Sequence, residues 1–295
     1  MEPGPDFVCV GAQKAGTQWL YDQLAWHPQF WMPPVKELHY LDRGSFKKHR
    51  RSAAGLRRRA RLGLSLVNAV RERQSWRPLG PRDLDFLDRY VALLGEKKVD
   101  LDGYAGLFAG KGAAISGDVT PGYSRLDEAA IADFAARFPE TRILYLARDP
   151  IERVWSHLLM TARRGKTLDR VRSERAIKFS RRPVVRLRCT NTEVIARWRR
   201  HVPAERVGVF LFDDIRDRPA ETRRAILAFL GADPDRRSGA LPPGFNRKSK
   251  DRKLPMPDDL RAALAEEFAD ELRASAEMLG GAAMAWPAKY GIGGG

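Results

Sequence analysis

The stretch VCVGAQKAGTQWL, Val8 to Leu20, passes from an apolar strand through a glycine-bounded loop into a helical pattern. Gly11 and Gly16 let the backbone turn tightly, and the first amides of the following helix present partial positive charge to an anion. The spacing differs from the nucleoside-triphosphate loop G-x-x-x-x-G-K-[ST], because Thr17 follows Gly16 directly and the only lysine, Lys14, lies inside the loop. In ATPases and kinases the lysine missing here works with magnesium at the β- and γ-phosphates. The loop is therefore expected to serve a different phosphate, without a metal. Asp118, after the run AAISG, is a weak candidate for a magnesium-binding acid and supports the competing kinase reading.

Working outward, apolar runs at about 6–11, 113–119, 142–148 and 206–212 read as strands, and helical patterns separate them. The alternation predicts an α/β fold, a P-loop-like three-layer sandwich with a central, mostly parallel sheet flanked by helices. Residues 30–42 read as a proline-broken extended segment, 43–75 as helix-compatible, and 258–279 as one long helix. Ligands of such sheets sit beyond the carboxyl ends of the strands. That rule selects the loops 11–17, 36–42, 118–125 and 148–156.

Composition bounds the function. No apolar run approaches the length of about 18 residues read as a membrane span. MEPGPDFVCV lacks the basic-then-apolar pattern of a secretory leader, so a cytoplasmic location is expected. Cys9 and Cys189 offer neither a disulfide framework nor metal-ligand spacing. The net charge of +16 is concentrated: residues 47–73 hold ten Lys/Arg against one acid, 163–188 eleven against two, and 246–253 five against one. Each run alone reads as a solvated face. Three together suggest a polyanionic ligand, with nucleic acid as the rival. No nucleic-acid signature or aromatic interleaving accompanies them, so no nucleic-acid partner is expected.

A second element is ILYLARDPIERVWSH (143–157). Arg148 ends a buried strand, where a charge is costly unless it meets an anion. Ser156 lies about two turns into the next helix, and the two could share one phosphate. The plainer alternative pairs Arg148 with Asp149 or Glu152.

GAQKAGTQWL together with YLARDPIERVWSH resembles the sulfotransferase superfamily that uses 3′-phosphoadenosine 5′-phosphosulfate, the first motif its 5′-phosphosulfate loop and the second its 3′-phosphate strand and helix. The likeness spans most of residues 1–295, read as one domain, and is weakest over the acceptor-side segments 43–95 and 160–190. KELHYLD (36–42) is similar to a segment of the heparan sulfate and related carbohydrate sulfotransferases. The resemblance implies Glu37 as general base, with His39 and Asp42 orienting base or acceptor. Two residues apart in an extended segment, Glu37 and His39 should also project to one side.

The resemblance further implies that Lys14 stabilises the departing 5′-phosphate, held by Gln13, Ala15, Gly16, Thr17 and Gln18. Trp19 either stacks adenine or fills the core. Arg148 and Ser156 take the 3′-phosphate, and Lys248, Ser249, Lys250 and Arg252 resemble a late basic loop over the nucleotide, with Asp251 where glycine is common. Lys36, His39, Asp42, Thr120 and Tyr123 line the acceptor side. In GDVTPGYSR (117–125), Val119 stands where the family has lysine, and the cysteine pair of many Golgi members is missing. The first departure removes a contact that helps bind an acidic sugar or the sulfuryl group; the second, with no membrane anchor in sight, favours a cytoplasmic, bacterial-type enzyme. The expected partners are the nucleotide donor and a hydroxyl or, secondarily, amine acceptor: an anionic glycan, a lipid head group or a natural product. Peripheral membrane contact is compatible with the basic runs.

Overall fold

The apolar runs form one parallel sheet of four strands, β1 (Phe7–Gly11), β2 (Gly117–Val119), β3 (Arg142–Ala147) and β4 (Val207–Leu211), in the order β2-β1-β3-β4. The computed structural model describes residues 4–42, 46–165, 173–236, 241–245 and 254–293. Phe7 to Val10 and Ile143 to Ala147 are almost fully buried. That accounts for their continuous apolar sequence, since a parallel strand covered on both faces has no polar side to show.

Helices flank this sheet. Before β2 come α1 (Thr17–Ala25), α2 (Phe46–Leu62), α3 (Leu64–Arg73), α4 (Pro81–Leu93) and α5 (Leu101–Gly106). Between the later strands lie α6 (Glu128–Arg137), α7 (Pro150–Gly165), α8 (Ser173–Ser180), α9 (Pro183–Arg186) and α10 (Asn191–Arg199). After β4 follow α11 (Phe212–Asp217), α12 (Pro219–Phe229), α13 (Asp258–Glu267) and α14 (Ala269–Leu279). Among the described residues no helix is long and apolar enough to cross a membrane.

Local chemistry sets the helix starts beside the site. Asp127 caps α6 by accepting from the Ala130 amide at 2.8 Å. Asp149 accepts from the Ile151 and Glu152 amides at 2.9 and 3.2 Å, and Pro150 opens α7 where no amide is needed. The strand order reverses at β1, whose neighbours are β2 on one side and β3 on the other. Their carboxyl ends therefore frame a crevice at the switch point.

Two expectations change. The run 258–279 is two helices, broken at Phe268, which leaves helical geometry (φ −109°, ψ 13°) and buries its ring. Only Gly117–Val119 of the run 113–119 pairs with β1, because Ile115 exchanges backbone hydrogen bonds with residues 29–31 instead.

At the carboxyl end of β2, Asp118 is 1% exposed. Its carboxylate accepts from Thr120 Oγ1 at 2.6 Å, Tyr123 Oη at 2.7 Å and Tyr104 Oη at 3.0 Å. Tyr123 Oη in turn accepts from the amides of Tyr40 and Leu41 at 3.1 and 3.4 Å. This network ties the sheet to the segment 36–42. Asp118→Ala orphans three buried hydroxyls, and unsatisfied buried groups cost about 1–3 kcal/mol each. Urea unfolding is expected to show a loss of at least about 3 kcal/mol, with Asp118→Asn losing less because it keeps one acceptor oxygen.

Candidate active site

Residues 11–16 turn at the tip of β1. Lys14 and Gly16 both take positive φ, 75° and 89°. A Cβ on Gly16 would sit 3.2 Å from Ile215 Cδ1 and Phe212 Cδ2, so the turn requires glycine on grounds of both conformation and space. No side chain caps α1 at Gly16, and the first-turn amides of a helix have no intrahelical acceptor. Ala15 is buried beneath the loop. Gln13 Oε1 accepts from Arg188 at 2.9 Å, and Gln18 Nε2 donates along α1 to Asp22 at 3.0 Å. Trp19 is only 4% exposed, with its indole N–H on the Pro243 carbonyl at 2.7 Å. Buried in this way, it packs as a core side chain does.

Arg148 lies beside this loop. Its Nη1 donates to the Lys14 carbonyl at 2.5 Å, its Nη2 meets Glu152 at 3.3 Å, and its guanidinium lies 4.2 Å from the centre of the Phe212 ring. Its Nε has no partner. Burial pulls its pKa down, with the Glu152 charge opposing. Asp149, the other anticipated partner, instead accepts from Lys289 Nζ at 3.2 Å and Tyr290 Oη at 2.6 Å. Ser156 is half-buried further along α7.

The segment 36–42 departs from the extended form expected of it. Glu37 (φ 63°) and His39 (φ 52°) both adopt the left-handed conformation. These turns aim both side chains at the same place while Leu38 and Tyr40 go into the core. The result is a chain of charges. Lys36 Nζ donates to Glu37 Oε1 at 3.0 Å and reaches Thr17 Oγ1 at 3.4 Å. Glu37 Oε2 lies 3.2 Å from His39 Nε2, and Asp42 receives His39 Nδ1 at 3.0–3.1 Å. Asp42 also meets Arg125 Nη2 at 3.4 Å.

The electrostatics follow from this geometry. Burial alone would lower the His39 pKa, but Asp42 and Glu37 on its two nitrogens outweigh it and raise it to about 9. Both nitrogens thus donate, as in an imidazolium. Burial pushes the Glu37 carboxyl up, yet the His39 and Lys36 hydrogen bonds and charges hold it well below the usual carboxylate range. Thr120 and Tyr123, expected to touch the acceptor, have no exposed surface. Thr120 Oγ1 accepts from the His39 amide at 3.4 Å, so both hydroxyls shape the segment from behind. Gly122 packs under the pair: a Cβ there would lie 2.4 Å from Asp42 Oδ2 and 2.8 Å from His39 Cε1.

Several residues were missed. The His49 ring on α2 lies 4.7 Å from that of His39 and is held below its usual pKa, chiefly by burial and then by the His39 charge. Within KKHRR nothing local marks it. Arg188 is brought down to about 10 by burial and by the charges of Arg125 and Arg153, so cations crowd this end of the sheet. Arg125 could have been noticed as the last residue of GDVTPGYSR. Lys248, Ser249, Lys250 and Arg252 lie outside the described residues.

A glycine loop at the switch point of a parallel sheet, facing an acid–imidazole cluster, defines a phosphate-loop α/β transferase. The chain belongs to the sulfotransferase family, whose model matches residues 5–236. In fold it is similar to a sulfotransferase from Alicyclobacillus acidocaldarius, with 23% identity over 96% of this chain and 98% of that one and a TM-score of 0.62. The sulfotransferase domain of the Synechococcus PCC 7002 olefin synthase is similar at 20% identity, over 91% and 95% of the two chains, with a TM-score of 0.50. Comparison with curated protein sequences finds no match.

The His39 cluster has a defined pH signature. Its folded pKa of about 9 exceeds the ordinary imidazole value of 6.5. The stability it contributes is therefore fully present below about pH 6.5 and is lost as pH rises through about 9. NMR titration of the His39 ring should give a midpoint near 9, and the thermal midpoint should fall across this window more in the parent protein than in His39→Gln.

Proposed function

We propose that the protein moves a sulfuryl group from 3′-phosphoadenosine 5′-phosphosulfate to an acceptor hydroxyl, with Glu37 as base and no metal, as a single catalytic domain acting in the cytoplasm. One observation carries the reading. Lys36 Nζ spans Thr17 Oγ1 and Glu37 Oε1, so the anion-accepting loop and the acid–base cluster lie within reach of one ammonium. The reaction itself is a displacement at sulfur. The acceptor oxygen bonds to sulfur, the bond from sulfur to the phosphate oxygen breaks, and its electron pair leaves on the 5′-phosphate.

The chain's own groups fit that charge flow. The uncapped amides at the start of α1, with Thr17 Oγ1, suit the 5′-phosphate, and Lys14 offsets the charge it gains. Arg148 and Ser156 suit the 3′-phosphate; the unpartnered, buried Nε of Arg148 is consistent with a missing anion. Lys248, Ser249, Lys250 and Arg252 would close over the nucleotide. The acceptor proton passes to Glu37, a poor base while both cations hold it low. An anion on the loop competes for Lys36, weakening its hold on Glu37 and raising the carboxyl toward a working range. His39, kept protonated by Asp42, orients Glu37 and adds positive charge. The cationic surroundings suit an anionic glycan, a lipid head group or another acidic acceptor.

The kinase reading loses its metal ligand, since Asp118 is committed to three hydroxyls. Thermal-shift titration should show stabilisation by 3′-phosphoadenosine 5′-phosphate without magnesium. A response to magnesium-ATP alone would reverse the assignment. Mass spectrometry of a metabolite extract incubated with enzyme and donor should then reveal products heavier by one sulfuryl group. Lys14→Ala should lower turnover roughly 100-fold or more, the usual loss for one preorganised charge donor. Glu37→Gln should abolish turnover while keeping nucleotide binding. Lys36→Met should move the acidic limb of the kcat profile to higher pH, because Glu37 loses a cation that holds it ionised; an unmoved limb would separate Lys36 from the base.

A further inference from the structure

Helix α3 carries an apolar row on its outer side. None of its ten residues, LSLVNAVRER, is buried. Two of its polar residues, Asn68 and Arg71, face the protein: Asn68 Nδ2 donates to the Leu79 carbonyl at 3.0 Å and its Oδ1 accepts from the Leu79 amide at 2.7 Å. Arg71 Nε donates to the Arg77 carbonyl at 2.8 Å. Leu64 and Val67 are half-buried, whereas Leu66 at 75% and Val70 at 55% exposure point outward one turn apart, following Leu62 at the end of α2 at 83%. A surface helix of a soluble domain ordinarily shows the reverse. Arg58, Arg59, Arg61 and Arg73 are exposed around this apolar row. Arg61 shares the Asp88 carboxylate with Arg57, whereas Arg58 and Arg59 have no ion pair among the described residues.

Charge and apolar surface together select the occupant. A second copy would bring two arginine-rich faces together and repel. A soluble polyanion would satisfy the arginines yet leave the leucines in water. An anionic lipid surface takes both, with phosphates meeting the guanidinium groups while the apolar row enters the boundary between headgroups and acyl chains. We propose that the end of α2 together with α3 docks this protein on anionic lipid membranes. The docking face also connects to the site. The His49 ring on α2 lies against that of His39, tilted by 40°, and thirteen residues of helix, about 20 Å, separate it from Leu62. A docked molecule thus holds its acid–base cluster close to the headgroup layer.

Docking needs neither nucleotide nor acceptor, so its test is independent of the sulfuryl-transfer reading. Full-length protein is sedimented with phosphatidylcholine vesicles, with or without phosphatidylglycerol, and with heparin as a soluble competitor. Binding is expected only when phosphatidylglycerol is present. Arg58→Gln with Arg59→Gln should weaken it roughly tenfold or more, given the usual contribution of each basic residue at an anionic surface. Leu66→Ser with Val70→Ser should weaken it comparably while leaving the thermal midpoint unchanged, because neither side chain is buried. Three results would overturn the proposal: no binding to anionic vesicles, vesicle binding that survives the Leu66/Val70 change, or a dimer in gel filtration that the same change dissolves. The second would assign the arginines to polyanions generally, and the third would assign the row to self-association.

Discussion

A single buried carboxylate organises the catalytic end of the molecule. Asp118 closes β2 with three hydroxyl donors on it, and one of them, Tyr123 Oη, holds the amides of Tyr40 and Leu41. A carboxylate this deep is tolerable only when its lone pairs are filled, so the three partners have little freedom to move. Thr120, the shortest of these contacts, accepts from the His39 amide. The left-handed turns at Glu37 and His39 are thus imposed from beneath, and strained backbone of this sort persists where its surroundings over-determine it.

The charge chain above that foundation is arranged for exchange of partners. Glu37 is flanked by two cations of different character. His39 is fixed on its far side by Asp42, whereas Lys36 reaches out to the loop hydroxyl of Thr17. An arriving anion therefore competes for Lys36 more readily than for His39. Arg125, Arg153 and Arg188 add a background of positive charge, and burial with the charges of the first two brings Arg188 down to about 10. Such crowding costs stability in the free protein and is offset when an anion enters, which makes anion binding and local stability one linked equilibrium.

What could be read from the sequence is what depends on neighbours along the chain. The passage from β1 through Gly16 into α1, and from β3 through Pro150 into α7, follows from apolar runs, glycine and proline positions and helix-start chemistry. Glu37, His39 and Asp42 were legible through resemblance to known sulfotransferases, but the reason offered for their shared direction was not the operative one. Alternation in an extended strand gives way to two positive-φ turns. Contacts made across the fold were illegible. Trp19 looks the same in sequence whether it meets adenine or the Pro243 carbonyl 224 residues away. His49 is hidden in a basic run, and Thr120 and Tyr123 disclose their structural role only once Asp118 is seen between them.

The basic runs show most clearly why charge counts alone do not assign function. Residues 47–73 are ten cations against one acid, a composition that equally suits a solvated face, nucleic acid or an acidic acceptor. Orientation separates these readings. α2 turns Ala53 and Ala60 inward and shares Asp88 with α4, as a packed helix should. α3 anchors itself through Asn68 and Arg71 and leaves Leu66 and Val70 in water. Exposing that row costs solubility and contributes nothing to the core, so folding stability gives no reason for its placement. Its first residue, Leu62, ends the helix that carries His49, so a surface engaged by the row would lie along the same helix as the candidate site.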